Sequence, residues 1–379
     1  MGTARTHASP LRRKPAHAVE DAVAHIEGAS RRGRGAVSNP AGRYEIVTRE
    51  EFSDGWDLEK EVPSIATEVT IEKARRIITR NDSPDILFDR SINPYRGCEH
   101  GCSYCFARPS HAFYGLSSGL DFETKLFAKT NAPELLLKEI SSRNYEPRTI
   151  ALGTNTDPYQ PIERRFRITR SILEILSRVN HPVGIVTKSA LVTQDLDILR
   201  SLAERRLVKV ALSITTLDPK LARRMEPRAA SPAKRLAAMR MLANAGIPVT
   251  VLVAPVIPAL NDHEIEAILD ASQKAGAAEA GYVLLRLPHD LKDLMRDWLL
   301  QHFPDRVDRV LSILRESRGG RDYDSRWKAR QTGEGPFAWI LGRRFEQATK
   351  RLGLNERRLS LRTDLFRVPE PEPVQLALF

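Results

Sequence analysis

All three cysteines of this 379-residue chain fall within eight positions, in the stretch YRGCEHGCSYC, as Cys98, Cys102 and Cys105. An odd, clustered set of thiols without an apolar signal segment is not a disulfide framework; it is soft-donor chemistry in a reducing compartment. A structural zinc takes four Cys or His ligands. His100 would supply the fourth, but only one residue separates it from each flanking thiol, which makes tetrahedral closure awkward, and no second cysteine pair exists. A [4Fe–4S] cluster is normally held by four thiolates, so three would leave one iron without a protein ligand. That gap is a defect in a structural site and a requirement in one that must bind something further.

The elements that must position this loop follow a clear alternation. Short β-branched or apolar runs occur at 149–154, 183–188, 208–215, 249–255 and 280–288, with an extended segment leading into Cys98 as a sixth. Between them lie amphipathic stretches with helix punctuation, including Asn131 and Ser231 as N-caps and Gly246 and Gly276 as stops. A helix is also expected over 71–80. Repeated strand–helix units demand a parallel sheet, either an open doubly wound sheet or a partial barrel, with ligands at the C-terminal ends of the strands. The cysteines follow the first strand, and GTNTDPYQP, TKSALVT, SITTLDP and APVIPALND follow the next four, so the polar chemistry collects on one rim.

A C-x3-C-x2-C loop with an aromatic, Tyr104, before its last cysteine resembles the radical S-adenosylmethionine superfamily. The words NPYRGCEHGCSYCFAR, GTNTDPYQPIE, VTKS and SITTLD are similar to its branch related to spore photoproduct lyase, over about residues 85–290. The resemblance implies an α/β fold, a partial (β/α)6 TIM-like barrel, with a [4Fe–4S] cluster on Cys98, Cys102 and Cys105. S-Adenosyl-L-methionine would chelate the open iron, and its reductive cleavage would give a 5′-deoxyadenosyl radical for hydrogen abstraction. It also implies cofactor contacts from the Tyr104 backbone and from Thr154, Asn155, Thr156 and Asp157, where many members have a Gly-Gly-Glu type sequence that this chain lacks. Lys188 would meet the methionine carboxylate, and Ser213 and Thr215 would meet ribose or carboxylate oxygens.

Other residues of the rim are candidates on position. Arg96, His100 and Arg108 would surround the cluster with positive charge, and Glu226 with Arg228 would pair near the cofactor. The lyase branch uses an additional cysteine as hydrogen donor, and none remains here. Tyr95, Tyr114 and Tyr159 are the candidates to replace it, so the substrate of that branch does not carry over.

Charge gathers at the ends. Residues 1–43 hold eight Lys/Arg against three Asp/Glu, and residues 321–367 hold twelve against six, within a net charge of +11. Basic ends suit a nucleic-acid substrate; a peptide or small-molecule substrate and a non-catalytic zinc module that binds nucleic acid are the alternatives. No apolar run approaches the roughly 18–20 residues that span a bilayer. A cytoplasmic monomer without membrane contact is expected, served by a one-electron donor such as flavodoxin or ferredoxin. The expected organisation is a disordered basic tail (1–43), a lead-in (44–84), the core barrel (85–290), a helical extension (291–367) that closes the barrel's open side, and a flexible end (368–379).

Overall fold

The computed structural model describes residues 33–44, 65–86, 88–327 and 329–369. Among these residues there are ten strands: β1 Glu68–Ile71, β2 Ile78–Arg80, β3 Arg90–Ile92, β4 Tyr95–Arg96, β5 Lys125–Ala128, β6 Ile150–Leu152, β7 Val183–Thr187, β8 Val208–Ser213, β9 Val249–Val256 and β10 Glu279–Leu284. Six of them, β3, β6, β7, β8, β9 and β10, lie parallel in chain order, with β2 antiparallel beyond β3. A doubly wound sheet reverses its strand order at a switch point. This one never does, and its edge strands β2 and β10 do not pair with each other, so the sheet is a partial (β/α)6 barrel.

The strands are held by an apolar face. Val208, Val210 and Leu212 of β8 and Val249, Val251 and Val253 of β9 are buried on one side, while Lys209, Thr250, Leu252 and Ala254 on the other are half-buried. The covering helices present one apolar stripe each; Ile168–Arg178 buries Ile168, Ile172, Leu173, Ile175 and Leu176. Ser231 caps Pro232–Asn244 by accepting from the Lys234 N–H, and Gly246 and Gly276 take the left-handed conformation that ends a helix.

Several expectations fail, each through a long-range contact. The helix over 71–80 is absent: β1 and β2 occupy its ends, and the Glu139 carboxylate accepts from Ile77 N–H at 2.6 Å and Ile78 N–H at 3.3 Å. Asn131 does not cap its helix; it exchanges two hydrogen bonds with the backbone of Ala74 instead. A small second sheet, β1–β5–β4, was not anticipated and carries the cysteine loop at the end of β4. The long helices of the C-terminal extension are Leu291–His302, Val307–Glu316 and Gly335–Arg351.

The N-terminal tail also departs from expectation. Residues 1–32 lie outside the described residues, but 33–44 are not a free leader, because they pack on the cysteine loop. At the other end, 370–379 lie outside the described residues. Just before them, Phe366 packs on Tyr145 and His181, and Arg367 N–H donates to Val179 O. No helix among the described residues is long and apolar enough to cross a membrane.

Candidate active site

The strand ends surround a cavity of about 720 Å³ whose wall includes Cys102, Tyr104, Cys105, Thr154, Asn155, Lys188 and Ser213. Three free thiols on one loop meet the end of the barrel here. Burial pushes the Cys98 thiol up, and it pushes Cys102 up to about 12, with Glu226 adding to the rise and Lys188 opposing it. Thiols this buried stay neutral unless a cation replaces the proton, which is what an iron centre does. The donor set fits an iron–sulfur cluster.

The loop is clamped from three sides. Toward the barrel, Glu226 accepts from the Tyr104 hydroxyl, the Thr215 hydroxyl at 2.7 Å and the Arg235 guanidinium, all buried. Ser103 N–H donates to Met225 O at 2.9 Å and Arg228 N–H to His100 O at 3.2 Å. Glu226 and Arg228 therefore do not pair with each other: Arg228 faces Glu99 at 3.1 Å, and Thr215 is spent on Glu226. Burial would raise the Glu226 pKa, but the Arg235 and Lys188 charges and its hydrogen bonds outweigh that and hold it at about 2.

On the second side, Asp157 accepts from Lys188 N–H at 2.8 Å, the Thr187 hydroxyl at 2.7 Å and Tyr159 N–H at 2.9 Å, with His100 Nδ1 at 3.3 Å. Burial raises this carboxyl, and His100 with these donors more than reverses it, to about 2. Asp157 ties β7 to the cysteine loop and does not line the cavity. Thr156 is likewise buried, with its hydroxyl on Tyr95 O at 3.0 Å. Of the four polar residues after β6, Thr154 and Asn155 face the cavity.

The third clamp comes from a segment read in the sequence as tail. Glu123, fully buried, accepts from Gly35 N–H at 3.0 Å, Ala36 N–H at 2.8 Å and Arg108 at 2.9 Å. Gly35 lies so close to the loop that a Cβ there would stand 1.6 Å from Gly101 O. Both contacts are backbone, so neither can swing aside. Gly35→Ala is expected to lift the strap and destabilise the protein by about 1–3 kcal/mol, read as a drop in Tm; an unchanged Tm would show that the strap is not seated.

The expected halo of positive charge around the cysteines is largely neutralised. Arg108 is held by Glu123 and by the carbonyls of Cys102, Ser118 and Gly119, and Arg96 pairs with Glu72 at 2.6 Å. The tyrosines proposed as hydrogen donors are also committed. Tyr95 donates to Glu163, Tyr159 donates to Asp195, and the exposed Tyr114 lies under Arg96 without lining the cavity.

Sequence reasoning missed three cavity cations that chain distance hides. Lys129, at the end of β5, reaches Asn93 O at 2.9 Å, and burial lowers its pKa to about 8. Arg286 follows β10 with its guanidinium over Phe106 at 4.9 Å, and Arg330 from the C-terminal region lies over Trp327 at 4.2 Å. The buried Arg318 holds that region to the barrel through the carbonyls of Leu285 and Ala329.

Comparison with known proteins agrees with this geometry. The Radical SAM superfamily profile matches residues 92–271. An uncharacterized protein of Mycobacterium tuberculosis is 36% identical over 230 residues, covering 60% of this chain and 68% of that protein. One of Methanocaldococcus jannaschii is 31% identical over 193 residues, covering 51% and 69%. The chain belongs to the radical SAM superfamily, whose enzymes use an iron–sulfur cluster and S-adenosylmethionine. Its fold is similar to that of spore photoproduct lyase with bound AdoMet and dinucleoside spore photoproduct, with a TM-score of 0.53 at 17% identity over 76% of this chain and 80% of that one.

Proposed function

We propose that this enzyme holds a [4Fe–4S] cluster on Cys98, Cys102 and Cys105, binds S-adenosylmethionine at the open iron, and acts on a nucleic acid. The observation that carries the cofactor reading is the placement of Cys102 and Cys105 on the wall of the strand-end cavity, beside Thr154, Asn155, Lys188 and Ser213. His100 is turned onto Asp157, 3.3 Å away, which favours a cluster on the three thiols over the zinc alternative that needs His100 as fourth ligand.

When bound, the cluster and S-adenosylmethionine supply the reductive cleavage that yields a 5′-deoxyadenosyl radical. The chain's own work is placement. The Glu226 and Asp157 clamps fix the loop, Tyr104 offers its backbone toward the cofactor, Thr154 and Asn155 offer polar groups from β6, and Lys188 and Ser213 offer theirs from β7 and β8. The helical C-terminal region supplies the far wall.

The substrate reading rests on charge. Five cations line the cavity, Arg96, Lys129, Lys188, Arg286 and Arg330, against one carboxylate, Asp82. Glu72 and Asp85 neutralise Arg96 and Arg330. Lys129, Lys188 and Arg286 have no carboxylate within ion-pairing distance among the described residues. S-Adenosylmethionine carries one net positive charge and an oxidised cluster on three thiolates one net negative, so the two cancel. The remaining excess calls for an anion. Phe106 and Trp327, 44% and 50% exposed under their arginines, add the stacking surfaces that single-stranded nucleic acids use.

Anaerobic reconstitution followed by electron paramagnetic resonance of the reduced protein, with and without S-adenosylmethionine, tests the cofactor reading. The expected result is a cluster signal that changes on addition of the cofactor; one zinc and no iron or sulfide would sink it. Single-stranded DNA and RNA binding should then weaken steeply with salt, as phosphate contacts demand. A flat salt dependence would favour a peptide or small-molecule substrate.

A further inference from the structure

Cys102 and Cys105 line the cavity, whereas Cys98 does not; it packs with Cys105 against Ala107 and Phe122, and its N–H donates to Phe122 O at 3.0 Å. Behind Phe122 lies a layer of rings that leads outward. His111 is 5.2 Å from Phe122 and 6.2 Å from Phe127, and Phe127 is 5.4 Å from Tyr114. His111 also crowds the residue before Cys98, since a Cβ on Gly97 would meet its ring at 3.0 Å. None of these rings lines the cavity.

The layer ends in an unusual surface. Phe113 is 69% exposed and Tyr114 41%, on a short turn that begins just three residues after Cys105, and Tyr44 of the N-terminal strap is 59% exposed beside them. Tyr44 and Phe113 are 5.6 Å apart, and Arg43 lies over both, at 4.9 and 5.5 Å. Arg43 has no ion-pair partner among the described residues, and its Nε is buried without a hydrogen bond. An exposed aromatic patch capped by an uncompensated cation is a poor solvent face and a good protein interface.

We propose that Arg43, Tyr44, Phe113 and Tyr114 form the docking site for the one-electron donor, and that this donor is a small acidic carrier protein. The inference rests on the reading that the loop holds an iron–sulfur cluster. The cavity side is taken by S-adenosylmethionine and substrate, so reducing equivalents must enter from the outer side, and this patch is the exposed face that the ring layer joins to Cys98. A flavin hydroquinone on the donor would lose one electron and become the semiquinone, and the cluster would gain that electron. Arg43 supplies the charge that steers an acidic partner, and the rings supply the dry contact area. The strap places Arg43 and Tyr44 there, which gives its anchorage on Glu123 a purpose beyond bracing the loop.

The test uses the reconstituted full chain with S-adenosylmethionine and reduced flavodoxin as the probe, in anaerobic stopped flow. Arg43→Glu and Phe113→Ser are compared with the natural protein after iron, sulfide and the cofactor-responsive resonance signal have been matched. At low salt, Arg43→Glu is expected to slow oxidation of flavodoxin about tenfold, the lower end of electrostatic steering, and Phe113→Ser severalfold. Reduction by dithionite, which needs no docking site, should be unchanged in both, and added salt should erase the advantage of the natural protein. Equal flavodoxin rates in all three proteins would overturn the proposal. So would an equal loss with dithionite, which would mean that the substitutions disturb the cluster itself. Absence of cluster from the natural protein is a separate outcome, since it removes the reading on which the proposal stands.

Discussion

Replacing Cys98, Cys102 or Cys105 singly by alanine is expected to abolish assembly of the cluster and to lower reductive cleavage of S-adenosylmethionine by more than about 10³-fold, some 4 kcal/mol of barrier or more. The reason is arithmetic. The chain has no fourth cysteine, so the loss of any one thiolate leaves two irons without a protein ligand. The fold should survive, because the alanine keeps the small apolar volume that Cys98 and Cys102 already present to their surroundings. Iron and sulfide content, visible absorbance and resonance spectra read the first effect, and thermal unfolding of the metal-free proteins reads the second. A single-cysteine variant that keeps a signal responsive to S-adenosylmethionine would remove that thiol from the ligand set.

The largest effect on stability is expected at Glu226. Its carboxylate takes three buried donors, and Glu226→Ala leaves the Arg235 guanidinium buried without a counter-charge, at a cost of about 3–5 kcal/mol. Glu226→Gln keeps the shape but not the charge and should cost less. The same group shapes the acid limb of stability. Its folded pKa lies near 2 against 4.5 for an ordinary glutamate, so the unfolded chain binds the proton first. The contribution, on the order of 3 kcal/mol, is complete above about pH 4.5 and lost as pH falls toward 2. Asp157, lowered from 3.8 to about 2, acts in the same window and with the same sign. Denaturant titrations from pH 6 to pH 2.5 should show stability falling in the natural protein and a shallower fall in Glu226→Gln. Parallel curves would mean that Glu226 is not the group that carries the acid limb.

These two sites mark the boundary between what was legible in the residues and what was not. The cysteine triad is a matter of spacing within one loop, and spacing is visible in a string. The barrel strands are equally visible, because a buried parallel strand must be a short apolar run and its crossover helix must show a three- and four-residue period. The polar words at the strand ends follow from the same topology, which is why Thr154, Asn155, Lys188 and Ser213 face the cavity with the cysteines.

What the residues alone could not say is which polar groups are already spent. Asp157 and Thr156 look like cofactor ligands until Lys188, Thr187 and Tyr95 are seen to occupy them. Glu226 and Arg228 look like a pair until Arg235 and Glu99 claim one each. The helix over 71–80 had adequate propensity and lost to β pairing and to one carboxylate some sixty positions away. The Arg-Gly-Arg-Gly-Ala stretch has the composition of a flexible tail, yet the absence of a side chain at Gly35 is what lets it lie against Gly101.

Spacing and periodicity by themselves determined a three-thiol loop at the end of a parallel α/β sheet, since ligand spacing and strand–helix alternation are local properties that no distant contact needs to supply, and the resemblance of the motif words to a known family added the cofactor chemistry and the barrel. Tertiary structure alone decided the anchoring of the cysteine loop, the uncompensated cations of the cavity and the aromatic face behind Cys98. Those depend on pairing between residues tens to hundreds of positions apart, and a carboxylate carries no mark in the sequence of the cation it will meet.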